Sequence, residues 1–194
     1  MILGVPAFDA PDTVWNMPVS FRQEYIASKY AIACEFRPRR ICEIGVFTGI
    51  SAKCFLAASP QAEYVGIDNK YAERGLGVEA VEHARRDLQD LGYKAFIHIL
   101  DSQRLDRLPD PPYDFIHVDG DHDRACAAHD VTLAWHALTD DGVILVDNGH
   151  DMGVAAGTFD ALYQLRMPNH PLVDWRYYSG KCGNILITKR PFVI

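Results

Sequence analysis

From about residue 40 onward, short apolar runs alternate with stretches of helical periodicity, and the apolar runs close on glycine or aspartate. The spacing predicts strands near 41–46, 63–68, 95–100, 113–119 and 142–147, with helices near 50–59, 77–91, 123–138 and 154–166. Such β–α alternation builds a parallel sheet covered by helices on both faces. Past residue 172 the pattern changes. Two runs, 172–179 and 184–189, flank Gly180-Lys181-Cys182-Gly183, which predicts an antiparallel hairpin. Ahead of the sheet, Pro6, Pro11 and Pro18 mark residues 1–17 as an irregular arm. Phe21, Tyr25, Ile26, Tyr30, Ala31, Ile32 and Cys34 then recur at mostly three- and four-residue intervals. They predict an amphipathic helix over 21–36 that stops before Arg37-Pro38, because proline disfavours helical geometry in the residue ahead of it.

The stretch Ile41 to Ser51 organises the rest. An apolar strand runs into a turn holding Gly45 and Gly49, which opens into a helix carrying Ala52, Cys54, Phe55 and Leu56. Glycines admit positive φ and close backbone approach, and free N–H groups at a helix start favour an anionic ligand group. Asp68 ends the next strand, where a carboxylate can accept hydrogen bonds from both ribose hydroxyls of a dinucleotide or adenosyl ligand.

Two further strands end in acid: Asp119 within Asp119-Gly-Asp-His-Asp123, and Asp147 followed by Asn148. Neighbouring strands lie about 5 Å apart, so Asp119, Asp147 and Asn148 can reach one ion. Two carboxylates and an amide oxygen suit a hard divalent cation such as magnesium. The same loop has part of a calcium-loop spacing, but Arg124 stands where that loop needs glycine and Asp130 where it needs glutamate. An EF-hand is therefore not expected.

The net charge of −7 argues against a broad phosphate-binding surface, and hence against nucleic acid. Five cysteines without a Cys-x-x-Cys pair read as reduced, mostly buried thiols of a cytoplasmic protein. No apolar run is long enough to span a bilayer, and the first residues lack the basic region of a secretory signal.

Taken together, Glu43-Ile-Gly-Val-Phe-Thr-Gly-Ile-Ser51, Asp68, Val118-Asp-Gly-Asp-His122 and Gly142-Val-Ile-Leu-Val-Asp-Asn148 resemble the class I S-adenosylmethionine-dependent O-methyltransferases. The similarity is to the small metal-dependent type, typified by catechol and caffeoyl-coenzyme-A O-methyltransferases and bacterial families with an Asp-Gly-Asp-His loop, and it covers roughly residues 40–165. It implies an α/β fold: a Rossmann-like, seven-stranded, mostly parallel sheet with helices on both faces and a C-terminal antiparallel hairpin. It also implies one domain, 1–194, in which residues 1–39 cover the substrate and 40–194 form the S-adenosylmethionine-binding core.

By the same resemblance, Glu43 and Ser51 serve the methionine end of the cofactor, Gly45, Phe47 and Gly49 form the loop around it, and Asp68 holds the ribose. Ser102 and Gln103 lie near the adenine, and Asp119, Asp147 and Asn148 are the ligands of Mg2+ or another divalent cation. The family usually carries a lysine as general base three residues beyond the first metal aspartate. Here that residue is His122, a side chain chemically suited to the task. His150, just past Asn148, is a second histidine placed to face the site. His83, His98, His129 and His136 fall within element bodies as structural residues. His117 shares strand parity with Asp119 and lies beneath the site, where packing is its expected role.

The expected reaction is O-methylation of a small-molecule hydroxyl on a catechol-like aromatic, a sugar diol or a natural product. Trp15, Trp175, Tyr177 and Tyr178 could supply aromatic surface to the acceptor. Relatives of this type are often homodimers, and the hairpin edge offers one possible surface. Two other readings keep the glycine turn and Asp68: a metal-independent methyltransferase, and a domain that binds S-adenosylmethionine without turnover. A nicotinamide-dependent oxidoreductase is disfavoured because Gly45 and Gly49 stand four apart, without Gly-x-Gly-x-x-Gly.

Overall fold

A computed structural model describes residues 19–69, 77–165, 174–178 and 183–189. Helix α1 (Val19–Phe36) leads into β1 (Arg40–Ile44), α2 (Ile50–Ala58), β2 (Glu63–Asp68), α3 (Gly77–Asp90) and β3 (Lys94–Ile99). A single 3-10 turn at Ser102–Arg104 precedes β4 (Tyr113–Val118), α4 (Arg124–Ala137), β5 (Leu138–Val146), α5 (Met152–Leu165), β6 (Asp174–Tyr178) and β7 (Asn184–Thr188). The strands join one sheet in the order β3-β2-β1-β4-β5-β7-β6. β1 to β5 pair in parallel, and β7 runs antiparallel to both β5 and β6. The alternation and the hairpin expected from the sequence are both present, with element ends displaced by at most four residues. β5 shows the largest shift: it begins at Leu138, directly after α4, rather than at 142.

Side-chain alternation splits the core into two layers. Ile116, Val118, Ile144 and Val146 pack with Val131, Ala134, Ala161 and Leu162 of α4 and α5. Ile41, Phe115, Val143 and Leu145 pack on the opposite face with Ile32 of α1, Phe55 of α2 and Val81 and Leu88 of α3. Each fully buried side chain of this size contributes about 1.5–3 kcal/mol of burial free energy, so both helical layers are held mainly by apolar contact.

Helix α1 corrects one part of the sequence reading. Ile32 is buried as expected, but Ala31 and Cys34 face solvent, and Lys29 is fully buried. The inward face runs through 25, 29, 32, 33 and 36, a helical stripe that includes a lysine. Cys34 is thus an exposed thiol, Cys126 is half-buried, and Cys42 and Cys54 are buried. Burial pushes the Cys54 thiol up to about 12. Cys182, Trp15 and the arm lie outside the described residues, as do the side chains of Trp175, Tyr177 and Tyr178.

In the order β3-β2-β1-β4-β5, the chain moves outward from β1 to β3 and then returns to the other side of β1. The crevice beyond the ends of β1 and β4 is therefore the topological switch point, where open α/β sheets bind ligands. Gly45 follows β1 there, and Asp119 follows β4.

Candidate active site

The turn after β1 is built from left-handed residues. Gly45 has φ 86°, Phe47 φ 48° and Gly49 φ 70°, with Gly49 capping the start of α2. Two contacts make glycine necessary. A Cβ on Gly45 would stand 1.9 Å from the Asp119 carbonyl oxygen, and one on Gly49 would stand 2.9 Å from Ala84 Cβ of α3. The backbone between them is tied to Asp68, whose Oδ2 accepts hydrogen bonds from Val46 N–H at 3.0 Å and Phe47 N–H at 2.9 Å. A single carboxylate oxygen thus sets the shape of the turn.

Glu43 and Ser51 do not line an open pocket. Both are buried, and Ser51 Oγ donates to Glu43 Oε1. Tyr64 of β2 donates its hydroxyl to Glu43 Oε2, and burial, followed by the Glu43 charge, pushes the Tyr64 phenol well up. On the adjacent strand, His117 Nδ1 lies 2.8 Å from Glu43 Oε1, because Glu43 and His117 are register partners on one face of the sheet. The His117 ring stacks edge-on against Phe55, with centroids 5.1 Å apart.

The acidic strand ends meet as the spacing requires. Asp119 N–H donates to Ile44 C=O at 2.8 Å, and Asp147 N–H to Val118 C=O at 2.9 Å, which sets the two residues side by side beyond the sheet. Asn148 takes the left-handed conformation at φ 52°, and its Nδ2 lies 3.2 Å from both Asp119 Oδ1 and His122 Nε2. Asp119, Asp147, Asn148 and His122 therefore form one cluster, as the sequence anticipated. Burial and then the neighbouring Asp147 hold the Asp119 carboxyl well above the usual range. Burial also opposes ionisation of Asp147, but the Lys29 charge and the hydrogen bonds from Lys29 and the Asn148 N–H outweigh it, and its carboxyl is lowered. Within this pair the two carboxyls are shifted in opposite directions, Asp119 up and Asp147 down.

Three residues of the cluster were not singled out from the sequence for a functional role. Lys29 Nζ lies 3.0 Å from Asp147 Oδ1 and 2.5 Å from Asn184 Oδ1, with both charged side chains almost wholly buried. Tyr25, one helical turn earlier, is half-buried with its ring 5.0 Å from the Lys29 ammonium. Burial, then Asp147 and Asp119, push its phenol well up. Helix α1 thus reaches the acids directly. His117 is the third: its ring, Asp119 and Asp147 each offer a ligand atom, all within 4.8 Å of one another.

His122 is half-exposed, with Nδ1 3.8 Å from Asp151 Oδ2. His150 is exposed. Ser102 and Gln103 form the turn after β3. Gln103 Nε2 donates to the buried Asp130 at 2.8 Å, and His129 Nε2 lies 3.1 Å from the Ser102 carbonyl oxygen. Burial raises Asp130 to about 6 against the opposing hydrogen bonds. A separate cavity of about 400 Å³, lined by Cys34, Arg37 and Ser59 among others, opens at the opposite end of the sheet. It contains none of these groups.

A switch-point crevice with a glycine turn, an acid at the end of β2 and paired acids after β4 and β5 defines a nucleotide-cofactor α/β protein. The chain belongs to the methyltransferase-domain family, whose model matches residues 42–149. Over 128 residues it is 29% identical to the O-methyltransferase ankF of Aspergillus thermomutatus, covering 64% of this chain and 52% of that protein. The chain thus spans about half the length of that curated relative. Its fold resembles that of the O-methyltransferase TomG of Streptomyces achromogenes, solved with S-adenosylmethionine, at a TM-score of 0.63 and 22% identity over 89% of this chain and 82% of that one. The O-methyltransferase of Bacillus cereus, solved with S-adenosylhomocysteine, matches at a TM-score of 0.61 and 17% identity over 94% and 82% of the two chains. Among the described residues, no helix is long and apolar enough to cross a membrane.

Proposed function

We propose that this protein transfers the methyl group of S-adenosylmethionine to a hydroxyl oxygen of a small molecule, with a divalent cation beside the acceptor. The observation that carries the reading is the contact between the cofactor turn and the acid pair, in which Gly45 packs directly on the Asp119 backbone. A ligand in the turn and an acceptor at Asp119 would be neighbours, and methyl transfer requires that proximity.

S-adenosylmethionine would supply the electrophilic methyl. The Gly45–Gly49 turn would hold its methionine portion, and the Asp68 carboxylate would exchange or share its hydrogen bonds with the ribose. The donor set fits a hard dication: the Asp119 and Asp147 carboxylates would offer oxygens, and the Asn148 amide can rotate its oxygen inward. A bound dication would lower the pKa of a coordinated hydroxyl. His122 would accept the hydroxyl proton; its position at the rim, with Nε2 3.2 Å from Asn148 Nδ2, supports that role. Residues 1–39, the arm and helix α1 with Tyr25, would close the acceptor side. Catechol-like aromatics, sugar diols and natural-product phenols all suit such a site, in a cytoplasmic enzyme.

One observation supports a metal-independent methyltransferase instead: Lys29 already presents a buried cation to Asp147. Methyl transfer assayed with chelator and then with added Mg2+ or Mn2+, in wild type and Asp147→Ala, separates the two. Metal-stimulated activity that Asp147→Ala abolishes supports the first reading, and activity indifferent to both supports the second.

A further inference from the structure

His117 is fully buried, and its Nε2 has no hydrogen-bond partner among the described residues. A buried ring nitrogen without a partner is costly unless something else satisfies it. Its other nitrogen is fixed: Nδ1 faces the Glu43 carboxylate, which can only accept, so Nδ1 carries the hydrogen and a neutral ring keeps its lone pair on Nε2. That lone pair lies 3.9 Å from Asp147 Oδ2, too far for a hydrogen bond. Asp147 Oδ1 is taken by Lys29, which leaves Oδ2 as the oxygen available toward His117 and Asp119. Glu43 in turn is held by Ser51 and Tyr64. Carboxylate, imidazole and open lone pair in series are the arrangement that orients histidine ligands of metals.

The geometry points to a mixed nitrogen–oxygen metal site in which His117 Nε2 joins Asp119 and Asp147 as a ligand. This rests on the metal-dependent reading above and refines its ion. Imidazole shifts preference from magnesium toward first-row transition dications, and Glu43 orients the ligand from behind. Because Glu43 also touches Ser51 at the cofactor turn, one buried carboxylate joins the two halves of the site.

The test uses the full chain and metal alone. The protein is loaded with Mn2+, and pulsed electron paramagnetic resonance reads nitrogen modulation from a directly bound imidazole. Calorimetry compares Co2+ with Mg2+. The expected result is imidazole modulation in wild type that is lost in His117→Asn and kept in His122→Asn, with Co2+ bound at least tenfold more tightly than Mg2+. If His117→Asn does not fold, 15N-histidine labelling combined with His122→Asn and His150→Asn makes the assignment by elimination. Modulation that persists through those two rim substitutions supports His117, and modulation lost with either overturns it. Mn2+ bound without nitrogen modulation overturns this inference and leaves the oxygen site of Asp119, Asp147 and Asn148 intact. No binding of Mn2+ or Co2+ overturns both.

Discussion

Lys29 Nζ of α1 lies 3.0 Å from Asp147 Oδ1 at the end of β5, and neither side chain has appreciable access to solvent. The pair pins the first described helix to the centre of the acid cluster, and Asn184 of β7 binds the same ammonium. Removing one partner of a buried ion pair leaves the other charge uncompensated, which costs about 3–5 kcal/mol.

Lys29→Met should therefore lower unfolding free energy by about that amount in metal-free protein. A dication can replace the missing charge at Asp147, so added Mn2+ should recover part of the loss. Chemical denaturation with and without Mn2+ measures both. A loss below about 1 kcal/mol would show that the pair is not buried as described.

Gly45→Ala should abolish cofactor binding. The new methyl would meet the Asp119 carbonyl oxygen at 1.9 Å in a backbone at φ 86°, and neither backbone can yield without moving β1 or β4. Several kcal/mol of destabilisation is the expected scale. Normal S-adenosylhomocysteine affinity in a stable Gly45→Ala protein would contradict the close approach.

Asp68→Ala leaves the Val46 and Phe47 amides without their acceptor. The expected cost is about 1–3 kcal/mol of stability, with at least a tenfold loss of S-adenosylhomocysteine affinity. Asp68→Asn keeps an acceptor oxygen and should retain most of the stability while losing affinity. Equal loss of both properties in the two variants would mean that Asp68 shapes the turn and takes no part in binding.

Asp130 governs a pH effect. Its folded pKa, about 6, is raised above the ordinary carboxylate value, so ionisation is harder in the folded state than in the unfolded chain. This contribution is neutral at low pH, grows as a penalty as pH rises from about 4 to 6, and stays constant above that. Asp130→Asn keeps the oxygen that accepts from Gln103 and should flatten that slope, gaining up to about 3 kcal/mol at pH 7. Unfolding free energies at pH 4, 5, 6 and 7 decide it; an unchanged slope would remove Asp130 as its source.

The parts legible in the sequence were those carried by local pattern. Gly45 and Gly49 could be read because a left-handed turn needs them. Asp68, Asp119 and Asp147 could be read because each closes an apolar run, where the sheet delivers its strand ends. Long-range pairing of polar groups was not legible. Lys29 sits on a helix whose apolar count excludes it, and its partners lie 118 and 155 residues away in sequence. Nothing local marks it. Strand parity with Asp119 sets His117 beneath the site, where packing is the expected role; parity does not reveal that its register partner on β1 is Glu43. The signal that could have found it is the pair of polar residues interrupting two adjacent apolar strands at matching positions. Glu43 braces His117 for the same register reason.

The most direct test of the central claim is calorimetric titration of S-adenosylhomocysteine into metal-free protein, followed by catechol with and without Mn2+. The account predicts that the cofactor product binds to wild type, that Asp119→Ala preserves this binding, and that catechol binds wild type only when both cofactor and metal are present. Absence of S-adenosylhomocysteine binding in folded wild-type protein would contradict it.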